Sequence, residues 1–303
     1  MKFLIVSACL WVIVGILQAQ DASTYHQLAA SKAYIGDLQS ALADFDTAIE
    51  MDPKRKEAYV DRAVLRQNLK DTKGALTDLD HAIVLDANFT LAYANRGVIH
   101  EQTGDHQAAL NDLSKALQLD PKDAVTALNR GIVKSKMKDL EGALSDYALA
   151  LQLDPGYARV HYQRALLKAA DNDMKAAIAD LDAAIALQPN YALAFADRAV
   201  AHEHKGDLQL ALSDFDRAIA LDPNNARTYR NRGIAREKSK DLTGAIADYT
   251  KAIEMDANYA SAYFDRGVAN YRKGDKKSGC DDIQKATELG YEQARFTLNE
   301  LCN

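Results

Sequence analysis

The sequence predicts an all-α fold in which helical hairpins stack into a solenoid. Three observations predict it. The 303-residue chain lands on itself when it is shifted by 34 residues. Within each period, apolar and small residues recur at the three- and four-residue spacing of a helix face. All five prolines fall in a single column of the repeat.

The first element is the apolar run Phe3 to Leu17, which follows Lys2. It is too short for a spanning helix, which needs about 20 residues. Its length and flanks fit the apolar region of an export signal, with cleavage after Ala19 and a signal peptide over 1–19. Two alternatives stay open: an uncleaved anchor, and lipid attachment at Cys9 in Val6-Ser7-Ala8-Cys9. The expected location is exported, periplasmic or secreted, with membrane contact only if the segment is retained.

The repeats begin at Ala22, Lys56, Thr90, Ala124, Ala158, Ala192, Ala226 and Ala260, and run without insertion to Gln293 within an array over 20–293. Position 16 is aspartate and position 27 alanine in all eight. In the third repeat, Tyr93, Arg96, Gly97 and His100 form one helical stripe. Gly104 interrupts it, and Asp105 is placed to cap a second helix. Ala109, Leu113, Ala116 and Leu117 form the second stripe, which Asp120-Pro121 ends because proline cannot continue a helix interior. Small residues at positions 8 and 20 allow the two helices close approach. Position 24 is large throughout: Phe45, Leu79, Leu113, Tyr147, Leu181, Phe215, Tyr249 and Ile283. One such hairpin cannot bury this surface alone, whereas a stack can. The tail 294–303 carries Phe296, Leu298 and Leu301 and is expected to cap the open end.

Composition narrows the function classes. Charged residues are 26% of the chain and apolar residues 48%, a globular balance. The net charge of −6 disfavours nucleic acid, whose binders need a basic face. A repeated residue along a rod is the opposite of the asymmetric cluster an enzyme needs. With ten residues after the last repeat, no catalytic residue, cofactor or small-molecule substrate is expected. His202-Glu203-His204 lacks the i, i+4 histidine spacing of a helical metal site, and no metal is expected there.

The column pattern resembles the tetratricopeptide-repeat family: large at 4, Gly or Ala at 8, Gly-Asp at 15–16, Ala at 20, aromatic at 24, Ala at 27 and Pro at 32. The resemblance implies a right-handed α-solenoid with a C-terminal capping helix, whose first helices line a concave groove. It also implies a non-catalytic scaffold whose partner is another protein or a peptide. The rival reading is a structural, self-assembling solenoid; the scaffold is expected to be monomeric. A terminal cysteine pair looks similar to that of exported bacterial members of the family. This implies a Cys280–Cys302 disulfide, the alternative being two free thiols.

One departure from the family is position 7, where an apolar residue is usual. Here it is Arg62, Arg96, Arg130, Arg164, Arg198, Arg232 and Arg266, with Leu28 in the first repeat. An aspartate column at position 23 answers it: Asp44, Asp78, Asp112, Asp146, Asp180, Asp214, Asp248 and Asp282. The expectation is a structural ion-pair ladder in which each arginine meets the aspartate of the preceding repeat, Arg130 beside Asp112. Leu28, with no preceding repeat, would need no partner.

The implied groove has an apolar column at position 9, from Ala30 and Val64 through Leu166 to Val268. The family's carboxylate clamp needs asparagine there, so this column argues against it. Side chains that break the repeat symmetry are the candidate partner-binding residues: Arg159 and Tyr162, Arg227 and Arg230, Phe264 and Tyr271. The alternative is that these are ordinary exposed side chains on a solvated face.

Overall fold

The computed structural model describes residues 21–302, so the expected signal peptide lies outside the described residues. Among the described residues there are seventeen helices and no strand. The chain divides into two compact units, one ending at Leu153 and the other beginning at Asp154.

The first unit contains α1 (Ala22–Tyr34), α2 (Leu38–Met51), α3 (Lys56–Asn68), α4 (Thr72–Leu85), α5 (Thr90–Thr103), α6 (His106–Leu119), α7 (Ala124–Lys136) and α8 (Leu140–Leu153). The second contains α9 (Ala158–Ala170), α10 (Met174–Leu187), α11 (Ala192–Lys205), α12 (Leu208–Leu221), α13 (Ala226–Lys238), α14 (Leu242–Met255), α15 (Ala260–Lys273), α16 (Lys276–Glu288) and α17 (Glu292–Leu301). Odd-numbered helices α1 to α15 begin at the repeat starts read from the sequence. Each packs as a hairpin on the helix that follows.

Each hairpin turns through one left-handed residue at position 15. Gly36, Gly104, Gly206 and Gly274 occupy it in four repeats, and Lys70, Lys138, Asn172 and Lys240 in the others. The next residue is the aspartate column. Asp105 accepts the Ala108 N–H at 3.0 Å and Asp71 the Gly74 N–H at 2.9 Å, satisfying donors that the helix start leaves free. Asp207 makes no such cap bond; its carboxylate faces Lys205 at 3.2 Å.

Within each unit, the second helix of a hairpin packs on the first helix of the next, which buries the position-24 column completely. Fully burying one such side chain stabilises by roughly 1.5–3 kcal/mol. Tyr147 and Tyr249 are the largest fully buried side chains, and each is paired with glycine at position 8. A Cβ on Gly233 would lie 2.5 Å from Tyr249 Cε1. That ring is pinned, because its hydroxyl donates to Glu237 at 3.1 Å. Gly233→Ala is therefore expected to lower stability by about 1–2 kcal/mol in urea denaturation, the overlap outweighing the helix propensity of alanine. A neutral or stabilising result would mean that the helices separate freely here.

In the second unit, α17 closes the stack. Ala294, Leu298 and Leu301 pack with Ile283, Phe264 and Val268. Cys280 and Cys302 are joined in a disulfide across this layer.

Candidate interaction surface

The arginine and aspartate columns meet inside each hairpin. Arg62 donates from Nε and Nη2 to the two oxygens of Asp78, at 2.9 and 2.6 Å. Arg96 does the same to Asp112, Arg130 to Asp146, Arg164 to Asp180, Arg198 to Asp214, Arg232 to Asp248 and Arg266 to Asp282. This corrects the expected register: Arg130 meets the aspartate of its own repeat and not Asp112. Positions 7 and 23 face each other across one hairpin. The inter-repeat bond exists but uses another column, position 25. Arg62 Nη1 donates to Asp46 at 2.6 Å, Arg96 to Asp80 at 2.6 Å, Arg198 to Asp182 at 2.5 Å and Arg232 to Asp216 at 2.6 Å.

A third column completes four of these pairs. Position 11 stands one helical turn after the arginine, and its Lys or Arg supplies a second donor to the same buried aspartate. Arg66 reaches Asp78 at 2.8 Å, Lys134 reaches Asp146 at 2.9 Å, Lys168 reaches Asp180 at 2.7 Å and Arg236 reaches Asp248 at 2.8 Å. In the first repeat Lys32 serves Asp44 at 2.5 Å, so that aspartate has a cation although Leu28 supplies none. Burial works against the charge of Asp180, but Arg164 and Lys168 outweigh it and hold its carboxyl below the ordinary range. His100 and His202 occupy this same position 11. His100 lies 3.9 Å from Asp112, and His202 lies 3.7 Å from the turn residue Asp207. No cluster of metal-ligating side chains occurs among the described residues.

First helices also touch one another: α1, α3, α5 and α7 in the first unit, and α11, α13 and α15 in the second. Polar rungs cross between them. In the first unit His26 Nε2 meets Asp61 at 2.6 Å, Gln67 donates to Gln102 at 2.7 Å, and Lys136 pairs with Glu101. In the second, Tyr162 donates to Asp197 at 2.7 Å and Arg230 to Asp265 at 2.7 Å, while Lys238 pairs with Glu203 and Arg272 with Glu237. Between the rungs the position-9 column stays accessible up to Val268, which the cap covers, with Ala30, Val64 and Leu166 the more exposed members. A cavity of about 240 Å³ opens beside Val64, with Phe45 and Leu65 in its wall and Asp61 and Asn68 at its polar side.

These rungs revise the candidate residues. Arg159 and Arg227 are exposed, and Arg227 has only a 3.3 Å approach to Asp197. Tyr162 is not a free contact residue; it is 7% exposed, stacked near Tyr191 and bonded to Asp197. Arg230 is held by Asp265. Phe264 belongs to the cap layer, its ring 5.2 Å from Tyr291, so it too is corrected from groove contact to packing. Tyr271 is half-buried, with the Lys276 ammonium 5.5 Å from its ring centre.

Burial pushes the Asp265 carboxyl up from 3.8 to about 6, although the Arg230 guanidinium pulls it down. A carboxyl raised by folding holds its proton longer in the folded state. Its contribution to stability is full below about pH 4 and is lost as pH rises towards 6. A side-chain carboxyl titration by NMR is expected to place the Asp265 midpoint near 6; a midpoint below 4 would show that Arg230 prevails.

Family profiles match the same stretches. A profile described as tetratricopeptide repeat matches residues 26–88, a second of that description 90–123, and one described as TPR repeat 238–274. The chain carries tetratricopeptide repeats. A further profile, the ETO1 C-terminal domain, matches residues 130–230. No curated protein sequence matches this repeat protein. Among solved structures, a tetratricopeptide repeat protein from Parabacteroides merdae is 22% identical, with a TM-score of 0.62 over 82% of this chain and 99% of that one. The Cut9–Hcn1 hetero-tetramer of APC/C matches with a TM-score of 0.69 at 16% identity, over 88% of this chain and 53% of that one. YrrB, titled a TPR protein with an unusual peptide-binding site, is 22% identical, with a TM-score of 0.53 over 62% of this chain and 98% of that one. At these identities the likeness is one of fold. Tetratricopeptide-repeat folds are typically non-catalytic scaffolds for protein–protein interaction.

Proposed function

We propose that this chain is a non-catalytic scaffold of the cell envelope that binds a peptide or helix of another protein along its first-helix face. The observation that carries the reading is the accessible apolar row at position 9, bordered by polar rungs. Repeated apolar contacts beside polar ones are how grooves hold extended peptides or helices. The cavity beside Val64 offers room for an anchoring side chain. Export is supported by the N-terminal apolar run in the sequence and by a disulfide, which persists in oxidising compartments. The scaffold acts as a monomer.

The test begins with affinity capture from envelope extract, followed by titration of the recovered partner. Charge reversal belongs at the exposed Arg159 and Arg227, with Arg227→Gln as the control because Arg227 approaches Asp197 at 3.3 Å; Arg230→Glu would face Asp265 from a more buried position and disturb the fold. Arg159→Glu with Arg227→Glu is expected to weaken binding by about 10- to 100-fold with the circular dichroism unchanged. Full affinity in the folded double variant would remove this face from the interaction.

A second reading, self-assembly, has one observation in its favour. Leu28, Tyr34 and Ile35 of the first repeat are exposed, Tyr34 at 93%. Light scattering across concentration separates the readings, because self-assembly predicts a mass that grows with concentration.

A further inference from the structure

The position-25 column is interrupted inside the first unit, and a cavity stands at the interruption. In four repeats the outer nitrogen of the position-7 arginine holds a carboxylate from the helix before it: Asp46, Asp80, Asp182 or Asp216. For Arg130 the residue at that place is Ser114. The Arg130 fork is spent on Asp146 through Nε and Nη2, and Nη1 has no acceptor among the described residues. Arg266 differs from Arg130 at this nitrogen. There position 25 is Thr250, and its hydroxyl accepts from Nη1 at 3.2 Å; Ser114 makes no such bond to Arg130. A cavity of about 340 Å³ opens at this point, lined by Ser114, Leu117 and Gln118 of α6, Pro121 of the turn, Arg130 of α7 and Leu149 of α8.

We infer that this cavity is a binding site for a carboxylate on an aliphatic stem. The fold itself supplies the evidence for the ligand class, because the same arginine nitrogen binds a carboxylate in four sister repeats. A guanidinium is a strong carboxylate donor, and Ser114 and Gln118 add neutral donors beside it. Leu117, Pro121 and Leu149 give the remaining wall an apolar character that suits methylene groups and not a second charge. The stem is thus a glutamate side chain of a partner protein or a free short-chain carboxylic acid. This site is separate from the apolar row of the proposed groove and does not depend on that reading.

The test titrates the full chain with sodium butyrate and, separately, with a blocked Ala-Glu-Ala peptide whose only carboxylate is the side chain. Ionic strength is held constant, and the backbone amide signals of Ser114 and Gln118 are followed by NMR. Saturable shifts with a dissociation constant in the ~1–50 mM range are expected for one charge-assisted contact. A stronger response to butyrate identifies a free acid as the ligand, and a stronger response to the peptide identifies a protein side chain. Ser114→Asp rebuilds the carboxylate of the sister repeats; it is expected to raise the melting temperature and weaken binding of both probes by at least about tenfold. Ser114→Ala leaves Arg130 free and is expected to stay within about threefold of the parent. Absence of saturable shifts, shifts equal to those from inorganic phosphate, or binding unaffected by Ser114→Asp in a folded variant would each overturn the assignment.

Discussion

Asp78→Ala is expected to lower stability by about 3–5 kcal/mol, among the largest effects of any single substitution in the ladder. Asp78 is 1% exposed and accepts three bonds, two from Arg62 and one from Arg66. Removing it takes from Arg62 and Arg66 the one buried counter-charge they share. The remaining partner of Arg62, Asp46, is 45% exposed at its side chain and cannot replace it. Asp46→Ala is expected to change stability by under about 1 kcal/mol, the ordinary worth of a solvated pair. Arg130→Ala should fall between the two, because Lys134 still holds Asp146 at 2.9 Å. Urea denaturation of the three variants checks the order. Equal, small effects would mean that water reaches the buried carboxylates and that the ladder is a surface feature.

That order of effects also marks how far the sequence could be read. The period, the helix starts, the aspartate caps and the buried columns at positions 8, 20, 24 and 27 all follow from spacing, because a helix places i, i+3 and i+4 on one face. Which arginine meets which aspartate does not follow from spacing within a helix. It depends on how far one helix slides along its partner, and a column of identical residues looks the same in every register. Leu28 suggested a partner in the preceding repeat, and that was half of the arrangement: the outer bond does go to the preceding repeat, but at position 25. The position-11 column had a local signal, a basic residue or histidine one turn after each arginine in most repeats. Its members are of mixed type, Lys32, Arg66, His100 and Asn270 among them, so no single residue recurs to draw attention. The first-helix rungs were less legible still. Tyr162 looked like a binding residue because it breaks the repeat symmetry, and it breaks that symmetry to reach Asp197.

Opening the Cys280–Cys302 disulfide is expected to release the cap and cost about 3 kcal/mol. The bond closes a segment of 22 residues that includes the end of α16 and all of α17. In the chain-entropy account, the gain comes from restricting the unfolded segment, so it scales with that loop. The packing beneath α17 is modest: Ala294 is buried, whereas Phe296 on the same helix is 74% exposed. A helix of 10 residues is also too short to persist without tertiary support. The effect should therefore be local, as expected for a stack in which each hairpin contacts only its neighbours. In Cys302→Ser, hydrogen exchange is expected to quicken across α17 and at the end of α16. Amides of α1 to α8 should keep their protection. Phe264 and Val268 would then face solvent, and a dye that binds apolar surface should report the change. Protection of α17 equal to that of the parent protein would mean that Leu298 and Leu301 hold the cap by packing alone, leaving the disulfide without a stabilising role.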